Sequence, residues 1–357
     1  MHAGLQHIRA VATVGELRLS TGEILQVEAF LRSALKQSAD GRSMINVLQL
    51  SPYAPDEINE QLENRFSVAR YWELQQNDAL KARILPDIRI VATKGDLGLS
   101  GELMAALPNL ELIAVYGVGF DKIDLAQARQ RNILITTTPD ALTEAVANHA
   151  VGLALASSRR IVEGDRFIRS GDWLNQKLSM GYSLRGKTLG IFGYGRIGKK
   201  TAEILGGTFG MNVLYCDHHA NPEQDKQSRA TPLELAKDSD IFLVAAPGNP
   251  ETENAIDLEV LEALGPNGLL INIARGSLVN MQDLITALES RKLGAAALDV
   301  FPDEPNVPDQ LITSPFTTLT PHIASATLET RLEMGRQMLL SIAAWQEKKE
   351  AYNQLRF

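Results

Sequence analysis

From Met44 onward the chain alternates between two kinds of hydrophobic pattern. Apolar runs of strand length occupy 45–50, 67–72, 88–93, 110–116 and 133–138. Between them, at 55–64, 101–107 and 125–131, apolar positions recur at helical spacing. Strands that are apolar nearly throughout, rather than on alternate residues, predict a parallel sheet covered by helices on both faces. Pro139 interrupts the series, and the stretch 142–173, rich in small residues, predicts one long helical segment. A second series of apolar runs follows at 188–193, 211–217, 240–247, 268–275, 294–300 and 317–321. These six strand candidates suffice for a second doubly wound sheet. An amphipathic helix is expected over 327–348.

Residues 1–43 break with this pattern. Ile24, Val27, Leu31 and Leu35 fall on one helical face, and the polar residues 38–43 read as a linker. We expect 1–43 to be an extension outside the fold, with Met44 as the natural start. Composition changes the picture little. The 357 residues suit two domains, and 45% hydrophobic with 22% charged residues is an ordinary globular balance. A net charge of -8 without a lysine/arginine cluster argues against nucleic acid as partner. The single Cys216 excludes an internal disulfide framework and fits a reducing compartment. No apolar run approaches the roughly 20 residues that span a bilayer. Cytoplasm is the expected location and no membrane partner is expected. The six histidines show no ligand spacing beyond the adjacent His218 and His219, so no metal site is expected.

Candidate chemistry enters with 189–205, "LGIFGYGRIGKKTAEIL". Gly193, Gly195 and Gly198 form G-x-G-x-x-G between an apolar run and a helical pattern, the context a dinucleotide-binding loop requires. Gly193 permits the tight turn, Gly195 the approach of a pyrophosphate, and Gly198 close packing of helix on strand. The helix N-terminus, opening at Arg196 and Ile197, offers unpaired N–H groups to the phosphates. The next strand ends in Asp217, placed to accept hydrogen bonds from ribose hydroxyls and to repel a 2′-phosphate. NAD is therefore favoured over NADP, with His218 and His219 as the residues that could soften the preference. Arg275, Glu304 and His322 each follow a later apolar strand. Ligands of open α/β sheets bind beyond the C-terminal strand ends, so all three are expected on the edge that holds the cofactor.

With "VYGVGFDKIDL", "TPDALTEAVANHAVGLALA", "RSGDW", "LRGKTLGIFGYGRIG", "INIARGSLV", "LDVFPDEP" and "TPHIASAT" in this order, the sequence from about Met44 resembles the D-isomer-specific 2-hydroxyacid dehydrogenases, and among them the glyoxylate/hydroxypyruvate reductases. The resemblance implies two doubly wound α/β domains with a cleft between them. A flavodoxin-like substrate domain comes from 44–142 and 325–357, and a Rossmann NAD-binding domain from 143–324. It implies that Arg275 holds the substrate carboxylate and carbonyl, that His322 is the general acid, and that Glu304 pairs with it. The amides of Val118 and Gly119 match a loop that grips the carboxylate. Asp299 matches a residue facing the nicotinamide carboxamide, and Ala274 and His322 also fall in the cofactor set. Trp173 stands where some of these reductases reach into a neighbouring subunit, and a homodimer through 143–173 is implied. Asn148 departs from the pattern, which usually has an acid there.

The residue types suit the chemistry. Hydride transfer to a keto carbon builds negative charge on oxygen, an imidazolium at His322 can donate to it, and Glu304 stabilises the charged ring. Arg275 offers a planar fork that matches a carboxylate. The expected function is reduction of a small 2-keto acid to the D-2-hydroxy acid. Hydroxypyruvate and glyoxylate are expected to outrank pyruvate and bulky apolar keto acids, because the loops Ser51–Pro52–Tyr53 and Thr93–Lys94–Gly95–Asp96 are expected to bring polar groups to the cleft. Three other readings share parts of the sequence. An NAD-sensing corepressor would not need the triad, formate dehydrogenases carry glutamine where Glu304 stands, and phosphoglycerate dehydrogenases often add a regulatory C-terminal domain. Relatives acting on 2-ketogluconate or on a phosphorylated hydroxy acid remain within the same chemistry.

Overall fold

The structure, a computed structural model, describes residues 46–219, 222–348 and 351–355. The expected extension 1–43 and the strand start at Ile45 lie outside the described residues. Five strands, β1 (Asn46–Gln49), β2 (Ser67–Arg70), β3 (Ile90–Lys94), β4 (Leu112–Tyr116) and β5 (Leu134–Thr136), form a parallel sheet in the order β2-β1-β3-β4-β5. That is the flavodoxin-like winding, with its switch point between β1 and β3. The strand expected over 67–72 is shorter than its apolar run, because the chain turns into the helix Tyr71–Leu74.

Six further strands form the second parallel sheet. They are β6 (Thr188–Phe192), β7 (Asn212–Cys216), β8 (Ile241–Val244), β9 (Leu269–Asn272), β10 (Ala295–Leu298) and β11 (Thr317–Leu319), ordered β11-β10-β9-β8-β6-β7. Outside β7 a single parallel bridge joins Tyr215 to Ser228. This vestigial strand completes the usual winding of a dinucleotide-binding sheet, with β6 at the centre of the reversal. The middle strands β8 and β9 are buried at every position, the consequence of helices on both faces.

The long segment expected at 142–173 divides. The helix Pro139–Ser158 ends, Arg160 takes a left-handed conformation with φ 54, and a second helix runs Ile161–Arg169. The terminal helix Leu328–Lys348 packs on β4, on Glu57–Glu63 and on Pro139–Ser158. Gly335 makes the approach possible, since a Cβ there would sit 2.8 Å from the Ile58 side chain. Trp345, on the buried face of this helix, has the Arg89 guanidinium 5.2 Å from its ring. One apolar cluster thus runs from Val47 and Ile90 of the first sheet, through Val146, Ala150 and Met338, to Leu189 and Ile271 of the second. At roughly 1.5–3 kcal/mol per buried large aliphatic side chain, this shared core holds the sheets in register around the cleft. Among the described residues no helix is long and apolar enough to cross a membrane.

Candidate active site

A cavity of about 820 Å³ opens where the C-terminal strand ends of the two sheets face each other. Arg275 follows β9, Glu304 follows β10 and His322 follows β11, and all three line the cavity. Val118 and Gly119, from the loop after β4, line it from the opposite sheet. The sequence expectation that these residues converge is met.

His322 sits on a strained turn. Its φ is 53, a left-handed conformation that non-glycine residues seldom adopt. Asp299 holds that turn. Its backbone carbonyl accepts from the His322 N–H at 2.8 Å. Its carboxylate accepts from the Thr320 hydroxyl at 2.6 Å and from the N–H groups of Ile323 and Ala324, each at 2.9 Å. His149 Nε2 lies 3.2 Å from the same carboxylate. Burial works against the charge of Asp299, but these hydrogen bonds outweigh it and hold the carboxyl below the usual carboxylate range. Asp299 lines the cleft, yet it is fully shielded and its carboxylate is engaged with protein groups. Its evident task is to fix the His322 turn, a role the sequence reading did not assign.

Glu304 bonds in two directions. Oε1 accepts from the Phe301 N–H at 2.9 Å, and Oε2 lies 2.7 Å from His322 Nδ1. A carboxylate at Nδ1 fixes the proton there, which leaves Nε2 as the atom able to exchange a proton with a bound molecule. The Arg275 guanidinium donates Nε to Asp121 at 3.0 Å and Nη1 to the Ala274 carbonyl at 2.7 Å. Nη2 packs on Gly119 so closely that a Cβ there would be 1.5 Å away. Gly119 is therefore required by the arginine. Buried Asn272 sets the turn that launches Arg275, accepting from the Ala274 N–H at 3.0 Å and donating to the Arg275 carbonyl at 2.9 Å. The N–H groups of Val118 and Gly119 find no acceptor among the described residues and stand beside the guanidinium. Two free amides and a planar cation suit an incoming carboxylate.

The residues of the glycine loop fit a dinucleotide. Gly193 has φ 94, and a Cβ on it would lie 2.3 Å from the Ala246 nitrogen. Gly198 packs as tightly, 2.3 Å from the Gly193 carbonyl. Gly195 differs: nothing of the protein lies within 4 Å of its would-be Cβ, and its φ is -76. Neither the fold nor the backbone demands glycine there, so the open space suits a ligand pressed against the loop. No side chain caps the helix Arg196–Gly207 that begins at this point, and its first N–H groups face that space. Asp217 accepts from the Tyr194 N–H at 2.8 Å and from the His219 N–H at 3.0 Å, tying the loop to the end of β7. Arg196 is largely exposed, 3.4 Å from Asp140. Ile197 lines the cavity, and Ala274 is half-buried beside Arg275.

Other expectations fail or shift. Tyr53 is buried and Ser51 Oγ and Tyr53 Oη have no partner, but neither residue lines the cavity. Burial drives the Tyr53 hydroxyl well above the ordinary tyrosine range. After β1 the chain instead presents Ala54 and Pro55 to the cleft, because Tyr53 packs its ring on Tyr116. Thr93 is buried and bonded to the Gly98 carbonyl, whereas Lys94, Gly95 and Asp96 do line the cavity. Asn148 and Trp173 are exposed, and Trp173 lies outside the cavity wall of this chain. Asp121, Asn272, His149 and Thr320 escaped sequence reasoning. The only signal was their place beside the quoted motifs.

Comparison with known proteins identifies the family. The model of the D-isomer specific 2-hydroxyacid dehydrogenase NAD binding domain matches residues 151–324. The chain is 40% identical over 291 residues to a glyoxylate/hydroxypyruvate reductase A of Arabidopsis thaliana, covering 82% of this chain and 92% of that protein. It is also 40% identical over 300 residues to a 2-ketogluconate reductase of Gluconobacter oxydans, covering 84% and 95%. Among solved structures, the NADPH-dependent glyoxylate/hydroxypyruvate reductase of Sinorhizobium meliloti, in complex with NADP and malonate, superposes with TM-score 0.80 at 35% identity, covering 88% of this chain and 97% of that one. This chain therefore belongs to the D-isomer specific 2-hydroxyacid dehydrogenase family, as an oxidoreductase that uses a nicotinamide dinucleotide on 2-keto and 2-hydroxy acids.

Proposed function

We propose that this enzyme reduces glyoxylate and hydroxypyruvate to their D-2-hydroxy acids, with His322 as general acid. The observation that carries the proposal is the His322–Glu304 contact at 2.7 Å across from the Arg275 guanidinium and the free Val118 and Gly119 amides. When bound, NADH supplies the hydride. Arg275 and the two amides fix the substrate carboxylate, which orients the keto carbon. His322 Nε2 then donates its proton to the carbonyl oxygen as charge grows there, and Glu304 stabilises the imidazolium before the transfer. In the reverse direction neutral His322 takes the hydroxyl proton. The pyrophosphate would rest on Gly193, Gly195, Arg196, Ile197 and Gly198, and the adenosine ribose on Asp217. Ala274 and Asp299 belong to the nicotinamide side of the cleft.

On the same reading, 44–142 with 325–357 is the substrate domain and 143–324 the NAD-binding domain. A homodimer forms through 143–173. The reading is supported by the exposed apolar side chains of Ile161, Ile168, Trp173 and Leu174, large apolar groups left on the surface within one short stretch. The deciding experiment is kcat/KM with NADH for glyoxylate, hydroxypyruvate, pyruvate, 2-ketoisocaproate, phenylpyruvate and 2-ketogluconate. Glyoxylate and hydroxypyruvate are expected to lead pyruvate and the apolar acids by about one to two powers of ten. A tenfold lead for phenylpyruvate or 2-ketoisocaproate would mean an apolar pocket and would reject the assignment.

A further inference from the structure

The cleft carries two cations that the chemistry above does not use. Lys94 ends β3 and Arg331 lies in the first turn of Leu328–Lys348, and both line the cavity that holds Arg275 and His322. The charges on the reaction side are paired, Arg275 with Asp121 and His322 with Glu304. Neither Lys94 nor Arg331 makes an ion pair with a carboxylate among the described residues. Each stands beside an aromatic ring. Lys94 Nζ lies 6.0 Å from the Tyr53 ring, the Arg331 guanidinium 5.8 Å from the Tyr116 ring, and the rings are 4.8 Å apart. The Tyr116 hydroxyl is anchored by the carbonyls of Ala54 and Arg331, at 3.1 and 3.0 Å. Burial lowers the Lys94 pKa. The charge of Asp96 opposes that shift and the charge of Arg331 adds to it. Two cations that repel each other in a partly desolvated wall, with one exposed acid nearby, are an arrangement that a bound anion relieves.

We propose that Lys94 and Arg331 form a second anion-binding pole, so that the cleft accepts 2-keto acids bearing a second carboxylate on the tail. The first carboxylate goes to Arg275 and the Val118 and Gly119 amides, and the inference rests on that reading of Arg275. The second lies between the ammonium and the guanidinium, beside the amide loop. A methyl or phenyl tail would leave both cations without an acceptor.

The test compares oxaloacetate with 2-ketoisocaproate, which place a carboxylate and an isopropyl group of similar shape on the same carbon. Glyoxylate, which has no tail, is the reference. Under steady-state NADH oxidation at low salt, oxaloacetate is expected to exceed 2-ketoisocaproate by about tenfold or more in kcat/KM, with an advantage that shrinks as ionic strength rises. Lys94→Met and Arg331→Met are each expected to lower the ratio of oxaloacetate to glyoxylate kcat/KM by about fivefold or more. Equal kcat/KM for the isosteric pair in the wild type overturns the proposal, and this comparison stands even if a variant fails to fold. A ratio unchanged in both folded variants overturns it as well. If the wild type does not reduce glyoxylate at all, the underlying reading of the site fails, an outcome distinct from the loss of the tail preference alone.

Discussion

At Gly195 the side chain is absent for a different reason than at Gly193. A Cβ on Gly193 collides with Ala246 and forces a positive φ on a residue that avoids it, whereas a Cβ on Gly195 meets no protein atom. Gly193→Ala is expected to cost about 1–3 kcal/mol of stability. Gly195→Ala should leave the melting temperature unchanged and weaken NADH binding by about tenfold or more, because the methyl enters the space proposed for the phosphates. Thermal melts and NADH fluorescence titrations of both variants check this, and equal NADH affinity in Gly195→Ala would remove the loop from the cofactor site. Arg275→Lys keeps the charge and loses the fork, so KM for glyoxylate should rise steeply and kcat should fall. Unchanged kinetics would place the carboxylate elsewhere. Arg275, Glu304 and His322 were legible because each stands just beyond an apolar run within a distinctive motif. Their supports were not, since what makes Asp121 and His149 matter is a distant partner: Arg275, 154 residues from Asp121, and Thr320, 171 residues from His149 and 3.1 Å from its Nε2. Asp299 was noticed, but its bonds to the 320–324 turn depend on a register between β10 and β11 that no local pattern encodes.

At the scale of elements, the strands of both sheets were readable because parallel strands covered on both faces are apolar nearly throughout. The exceptions have physical causes. The apolar run 67–72 reads as strand throughout, but the strand ends at Arg70 and Tyr71 opens a helix that packs on the helix Asp78–Ile84. The break at Arg160 rests on a left-handed residue that composition does not announce, and the Ser228 bridge is too short to leave a pattern. Beside that bridge Arg229 is committed to Asp238 at 2.6 Å, so it is not a ready partner for a 2′-phosphate near Asp217. NADH is therefore expected to outperform NADPH, and Asp217→Ala to narrow the gap. Measurement of kcat/KM for both cofactors decides it, and a wild-type preference for NADPH would mean that His218 or His219 dominates Asp217.

At the scale of the whole molecule, the terminal helix Leu328–Lys348 closes the first sheet after the chain has completed the second, and it brings Arg331 to the cleft. The amphipathic pattern of 327–348 made the helix readable, while its close packing on the helix Glu57–Glu63 depends on Gly335 against Ile58, which no local pattern encodes. The proposed homodimer would cover the exposed side chains of Ile168 and Trp173. Ile168→Lys combined with Trp173→Lys should convert a dimer to a monomer in light scattering, and an unchanged mass would move the interface elsewhere. In the proposed mechanism His322 donates a proton to a carboxylate-anchored keto acid in the cleft between the sheets. NADH oxidation with glyoxylate in the wild type and in His322→Ala, with NADH affinity measured alongside, isolates that step. The wild type is expected to turn over, and the folded variant to bind NADH normally while kcat falls by roughly 10²–10⁴-fold. A folded His322→Ala protein that reduces glyoxylate at near-normal kcat would contradict that mechanism.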